Sequence, residues 1–493
     1  MRLETISQAE HGRDEQFLEQ AHRSPYDFHK LSVKAAGDEK LKLAVSTATT
    51  RQWIGRQTRL KELPDADALR TLAGRIKQHT LDHLDYYLEQ LRDAVTRAGG
   101  QIHFASTADD ARRIILQIAR DNASRICVKS KSMVSEEIEL TPELERAGVE
   151  VWETDLGEFI VQVSGDKPSH IVQPIIHKDK ASIARLFADY FKTDYTDDPQ
   201  ALTRQARVFL RDKFRRADLG ITGGNFIVAE TGHVCIVTNE GNGRLTTAMP
   251  KVLVSLVGME KLVPRLEDLA VLLKLLARSS TGQSLTVYTS LFGGPRLAGE
   301  KDGPEQFHLV LLDNGRSEIL ASEYRETLRC IRCAACLNAC PVYRKIGGHS
   351  YGSVYPGPIG ALITPLFQGL GDYKDLPQAS SLCGACYEAC PVKIDIPRHL
   401  VNMRRDIHER RLSSPIDRMI YKTWARSLRS PLLYRWISRV QKWELRRRAR
   451  RNGGWITRLP PPGGGWTDVR DMPAPAPKTF HDLWKQRRQE DQP

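Results

Sequence analysis

The chain has 493 residues, with 41% hydrophobic and 27% charged side chains and a net charge of +13. That length suits two to four domains, and the composition excludes a disordered or collagenous chain. No apolar run approaches the ~20 residues that cross a bilayer: the most apolar stretch, 252–276, is broken by Glu260, Lys261, Pro264, Arg265 and Glu267.

The start, MRLETISQAEHGRDE, has no apolar segment of the secretory kind, so the expected location is cytoplasmic. Thiols stay reduced there, and nine cysteines point to metal or catalysis before disulfides. The charge is uneven. Residues 401–493 hold 22 Lys+Arg against 9 Asp+Glu, whereas the other 400 hold 51 of each.

In chain order, residues 1–64 read as an N-terminal helical extension. A long helix follows Pro64 and Asp65, with apolar positions Leu69, Leu72, Ile76, Leu84, Leu88, Leu91 and Val95, and stops at Gly99-Gly100. Strand candidates then alternate with helix candidates: QIHFA (101–105), a helix over 107–121, RICVK (125–129), a helix over 133–147, and VEVWET (149–154). FIVAE (226–230), HVCIVT (233–238), VLVSLV (252–257), a helix over 266–279, SLTVYTS (284–290) and FHLVLLD (307–313) complete the set. Strands separated by such helices imply parallel pairing, so 65–315 is expected to be one α/β domain. A cysteine-rich segment fills 316–400. A basic tail over 401–493 carries six of the eight Trp and ends in PPPGGG and PAPAP.

The sequence CIRCAACLNACP supplies Cys330, Cys333, Cys336 and Cys340 followed by Pro341, the spacing C-x2-C-x2-C-x3-C-P. Two-residue gaps let one tight loop aim three sulfurs inward, while the fourth Cys serves a neighbouring cluster. A second run, CGACYEACP, supplies Cys383, Cys386, Cys390 and Pro391, and puts Ser380 where the motif's first Cys would stand. Two-cluster ferredoxin logic assigns Cys330, Cys333, Cys336 and Cys390 to one [4Fe–4S] cluster, and Cys340, Cys383 and Cys386 to a second that is one thiolate short. Three outcomes are open for that vacancy: Ser380 or another side chain, a water or small molecule, or a [3Fe–4S] cluster; His349 is a further possible ligand, although it is expected first as a hydrogen-bonded loop residue. Zinc ribbons would leave the third closely spaced Cys without a purpose. The Gly-, Pro- and Tyr-rich stretch between the half-motifs is expected to cover one cluster.

Cys127 and Cys235 lie inside apolar strands and are expected to pack in the core. Two loops at carboxyl ends of strands are candidates for holding a carboxylate: KSKSMVSEE, with Lys129, Ser130, Lys131 and Ser132, and NEGNGR, with Glu240, Asn242 and Arg244. No dinucleotide or P-loop motif is present. Only one-electron centres are offered, so a two-electron dehydrogenation depends on a partner.

On CIRCAAC…ACPVYR (330–344), GGHSYGSVYPGPIGA (347–361), SSLCGACYEACPVKI (380–394) and WTDVRDMPAP (466–475), the chain resembles the lactate-utilisation protein B family, an iron–sulfur subunit of bacterial L-lactate oxidation. GITGGNFIVAETG (220–232) and VTNEGNGRL (237–245) look like that family's lactate-utilisation domain. The resemblance implies a fold similar to ribose-5-phosphate isomerase and CoA-transferase domains, followed by an α-helical ferredoxin-like domain. It also implies electron transfer from L-lactate with two companion subunits, and the gap at Ser380 fits the family pattern. The alternative is a self-sufficient hydroxy-acid oxidoreductase using the open iron of the second cluster. For the basic tail, peripheral membrane or acidic-partner contact is expected rather than nucleic acid.

Overall fold

A computed structural model describes residues 26–460, 463–467 and 470–490; the first 25 residues of the expected extension lie outside it. Two compact units divide the chain at Arg410/Arg411. No described helix is long and apolar enough to cross a membrane.

In the first unit, α1 (Glu39–Leu60) and α2 (Ala66–Asp82) precede the sheets. The helix expected from Pro64 onward breaks at His83, whose φ of −126° and ψ of 36° leave the helical region before Leu84–Arg97 resumes it. The strands are β1 (Gln101–Ala105), β2 (Ile126–Lys129), β3 (Glu150–Glu153), β4 (Leu219–Thr222), β5 (Phe226–Val228), β6 (Val234–Thr238), β7 (Val252–Gly258), β8 (Leu262–Val263), β9 (Tyr288–Phe292) and β10 (Gln306–Leu312).

Six of these form one wholly parallel sheet in the order β1-β10-β7-β4-β2-β3. Alternation sends Cys127 and Val151 to one face, with Ile115 and Ile118 of the Ala108–Asp121 helix. Ile126, Val128 and Trp152 face the opposite helices with Phe159, Phe187 and Phe214. Both faces are covered, which is why these strands read as continuous apolar runs.

Two expectations are corrected. The helix expected over 133–147 is two pieces, Met133–Glu137 and Leu140–Arg146, parted by Glu139 at φ 49°. FIVAE and HVCIVT do not join the parallel sheet. They form an antiparallel hairpin, β5–β6, in a second sheet of order β8-β5-β6-β9, because only the few residues around Gly232 (φ 75°) connect them and a parallel crossover needs a dozen or more. The described part of the N-terminal stretch is helical, as expected, and it packs onto the rest of this unit. Val45 of α1 and Ala73 of α2 share one hydrophobic core with Phe226, Leu272, Cys333, Cys336 and Cys390, so the cysteine loops are packed into this unit from several directions.

The two longest helices of the second unit, Pro415–Arg429 and Pro431–Arg450, are each opened by a serine that accepts a backbone N–H and by proline in its first turn. Trp424, Trp436 and Trp443 on these helices are exposed.

Candidate metal centre

The cysteine loops repeat a backbone pattern at an offset of fifty residues. In the first, Arg332 and Ala334 take positive φ (58° and 64°) on either side of Cys333, and the short helix α3 (Ala335–Ala339) follows. In the second, Leu382 and Gly384 take positive φ (53° and 83°) on either side of Cys383, and α4 (Ala385–Ala389) follows. Left-handed conformation at three non-glycine residues is uncommon; here it winds the chain around a centre so that successive cysteines face inward.

Each loop then ends Cys-Pro-Val. Proline lacks an N–H, and the amides beyond it turn to the sulfur. Tyr343 N–H donates to Cys340 Sγ at 3.5 Å, and Ile394 N–H donates to Cys390 Sγ at 3.3 Å.

Cys330, Cys333, Cys336 and Cys390 line one cavity, closed by Ile331, Ile359, Val392 and Ile396 and reached by Arg332. Cys340, Cys383 and Cys386 lie outside that cavity, and the thiols of Cys340 and Cys386 are raised by burial first and by neighbouring cysteines second. Burial pushes the thiols of Cys333 and Cys386 up to about 12 and Cys390 up to about 11, and neighbouring cysteines add to the effect. A nest of thiols that resists ionisation alone is what a cationic metal core reverses.

The surroundings fit an anionic cluster. Lys77, Lys261 and Arg332 are buried beside Cys330. Among the described residues Arg332 Nη1 has no hydrogen-bond partner, although its side chain lies in the cysteine cavity. Arg56 Nε is likewise buried without one, beside Cys333 and Cys390. Orphaned buried donors are rare, and sulfurs of a cluster would supply the missing acceptors.

Ser380 occupies the place of Cys330 in the second loop. Arg332 N–H donates to Cys330 Sγ at 3.4 Å, and fifty residues on Leu382 N–H donates to Ser380 Oγ at 3.1 Å. His349, the other non-cysteine candidate, is elsewhere. Its Nε2 meets Lys167 O at 2.7 Å beside Asp166 and His177, and Asp166 is held below the usual carboxylate range by His177 and Lys178 although burial opposes it. Asp166, His177 and His349 bring their ligand atoms within 4.8 Å of one another, but Lys178 Nζ already sits on Asp166 at 2.9 Å.

The place of α1 beside the cysteine loops was not expected from the sequence. Its buried face carries Thr49, Gln52 and Arg56, and Arg56 Nη2 donates to the Ala389 carbonyl at 2.9 Å. Arg70 of α2 reaches the Cys390 carbonyl at 2.9 Å. A polar stripe at helical spacing was the available signal.

The expected carboxylate loops do not gather into one site. Lys129 is fully buried between Glu153 (2.6 Å) and Glu136 (3.0 Å), so its charge is already neutralised. Ser130 donates to Thr222, and Ser132 caps the Met133–Glu137 helix. Lys131 pairs with Glu158 at 2.8 Å. Glu240 accepts the Leu156 N–H at 3.2 Å and is pushed up to about 7 by burial and by Asp155. Asn242 is buried at the start of the Asn242–Ala248 helix. Arg244 is exposed and lies over the Tyr288 ring at 5.8 Å. Cys127 and Cys235 are buried core side chains, the latter pushed up to about 12 by burial.

The α/β part joins the first cysteine group through buried ion pairs. Arg316 meets Glu137 at 2.8 Å and Glu260 at 2.5 Å, Arg332 approaches Glu260 at 3.5 Å, and the Tyr355 hydroxyl donates to Glu137 at 2.6 Å.

Three family models match the chain: the LUD domain over residues 88–312, the 4Fe-4S dicluster domain over 326–394, and the C-terminal family of lactate utilisation protein B over 407–489. The chain is 48% identical to "Lactate utilization protein B" of Shouchella clausii over 94% of its length and 97% of that protein. It is also 48% identical to the protein of that name from Bacillus licheniformis, over 92% of this chain and 95% of that one. A solved structure of a duf162 family protein from Deinococcus radiodurans covers 46% of this chain and 98% of its own at 14% identity, with a TM-score of 0.28, too low to bear on the fold.

Proposed function

Since the chain belongs to the lactate utilisation protein B family, we propose that it carries electrons through two iron–sulfur clusters during oxidation of L-lactate to pyruvate by a complex with companion subunits. The observation that carries this reading is the meeting of Cys330, Cys333 and Cys336 with Cys390, from a loop more than fifty residues away, around one cavity. That is the exchange of a fourth ligand between half-motifs that a two-cluster ferredoxin makes. Cys340 joins Cys383 and Cys386 in the reciprocal set, and Ser380, placed as Cys330 is, supports a fourth, oxygen ligand there.

Bound clusters supply one-electron redox steps. The residues of the chain bury them and hold them. Lys77, Lys261 and Arg332 offset the negative charge of a thiolate-bound cluster at the first site. Arg56 and Arg70 fix the carbonyls of Ala389 and Cys390, which keeps Cys390 turned across to the first loop. Lactate surrenders two electrons and two protons on becoming pyruvate; clusters held by these cysteines would take electrons only singly, so the hydride-accepting step falls to a companion.

The test is anaerobic. Lactate is added to the purified chain with and without its companion proteins, and the visible absorbance is followed. Bleaching only with the companions present is expected. Bleaching by lactate alone would instead favour a self-sufficient oxidoreductase. A dithionite-reducible chain that no combination of lactate and companions bleaches would remove it from the electron path.

A further inference from the structure

Tyr343 and Tyr351 lie side by side, both wholly buried, with ring centroids 6.3 Å apart. Their hydroxyls differ. Tyr343 donates to the Ser169 carbonyl at 2.7 Å, whereas the Tyr351 hydroxyl is buried without any hydrogen-bond partner among the described residues. Leaving a buried hydroxyl unpaired costs about 1–3 kcal/mol, so an isolated phenol oxygen in a well-packed core calls for an acceptor.

The candidates around it are few. Tyr26 is committed to the Ser350 carbonyl at 3.0 Å and Tyr343 to Ser169. The remaining groups whose charge acts on the Tyr351 hydroxyl are the thiols of Cys340 and Cys336, with Cys340 the stronger. These two cysteines end one half-motif's reach and begin the other's: Cys336 faces the first cavity, and Cys340 belongs with Cys383 and Cys386.

We propose that Tyr351 is a positioning residue whose hydroxyl donates a hydrogen bond to a sulfur at the boundary between the two clusters, on the side that Cys340 holds. This rests on the cysteine assignment proposed above. A donor on a cluster sulfur stabilises the reduced, more negative state and so raises the potential. Tyr351 thereby raises the potential on the Cys340 side and sets how readily an electron passes between the centres.

Tyr351→Phe removes the hydroxyl and leaves the ring, so the packing is retained and no void opens for water. Tyr343→Phe is the matched control, a neighbouring ring of the same size whose hydroxyl is spent on a backbone carbonyl. Both variants and the parent, purified anaerobically, are titrated potentiometrically with EPR detection, and iron is counted in each. The expected result is a second-cluster potential displaced to more negative values in Tyr351→Phe, a smaller displacement of the first, and neither displaced in Tyr343→Phe, at equal iron content. Unchanged potentials in Tyr351→Phe with full iron, or equal displacements in the two variants, would overturn the role of Tyr351 alone. A parent protein with no second cluster would instead overturn the cysteine assignment, and this role with it.

Discussion

The first cysteine loop is enclosed by aliphatic side chains, with the buried basic side chains Arg56, Lys77, Lys261 and Arg332 nearby. The second follows the same backbone course fifty residues later, yet Cys383 is exposed, Ser380 replaces a cysteine, and Arg344 is the cation beside Cys340. One local geometry is therefore set in two environments. Hydrogen bonds, net charge and solvent exposure tune a cluster's potential. On the proposed reading, the cationic first site holds an electron more readily, and the exposed second site is where electrons are exchanged with a partner and where iron is most easily lost.

The largest effect expected is that of Cys333→Ser, which puts a poorer ligand in the buried site. About half of the bound iron should be lost, with the EPR signal of the second cluster persisting. Full iron content would contradict the ligand assignment.

Next is Glu260→Gln, which leaves Arg316 and Arg332 without their shared carboxylate. Breaking a buried pair costs about 3–5 kcal/mol, read as a fall in Tm of the first unit. Burial alone would raise Glu260, but Arg316 and Arg332 bring it down to about 2. Its stabilisation is thus complete above the unfolded carboxylate value of about 4.3 and is lost as pH falls toward 2. The parent should lose stability more steeply than Glu260→Gln across that window, and parallel acid profiles would contradict the linkage.

Arg56→Met should lower the potential of the first cluster while leaving the second in place. It also removes a charged hydrogen bond to Ala389, worth about 1.5–3 kcal/mol. A displacement confined to the second cluster would reverse the comparison. The smallest effect is Ser380→Cys, which should give the second loop a full set of thiolates and lengthen its cluster's lifetime in air. An unchanged lifetime and EPR signal would mean that Ser380 does not face the metal.

The gathering of Cys330, Cys333 and Cys336 was legible in the sequence because C-x2-C-x2-C-x3-C-P is a local constraint: one loop must aim three sulfurs at one point, and spacing alone encodes that. The parallel strands were legible for a similar reason, since strands covered on both faces are uninterrupted apolar runs. Long-range relations were not. Thr49, Gln52 and Arg56 look like an ordinary polar stripe until α1 is laid against the cysteine loops. His349 resembles a spare ligand in a glycine-rich loop, and its engagement with Asp166 and Lys167 depends on a segment nearly two hundred residues earlier. The equivalence of Ser380 to Cys330, by contrast, was legible from spacing, and in both loops the amide two residues on turns back to that side chain.

The most direct test is iron and acid-labile sulfide analysis of the anaerobically purified chain, combined with EPR after dithionite reduction. The account predicts a brown protein with sulfide accompanying its iron and two distinguishable paramagnetic centres. A colourless protein holding zinc, or iron without sulfide, would contradict it.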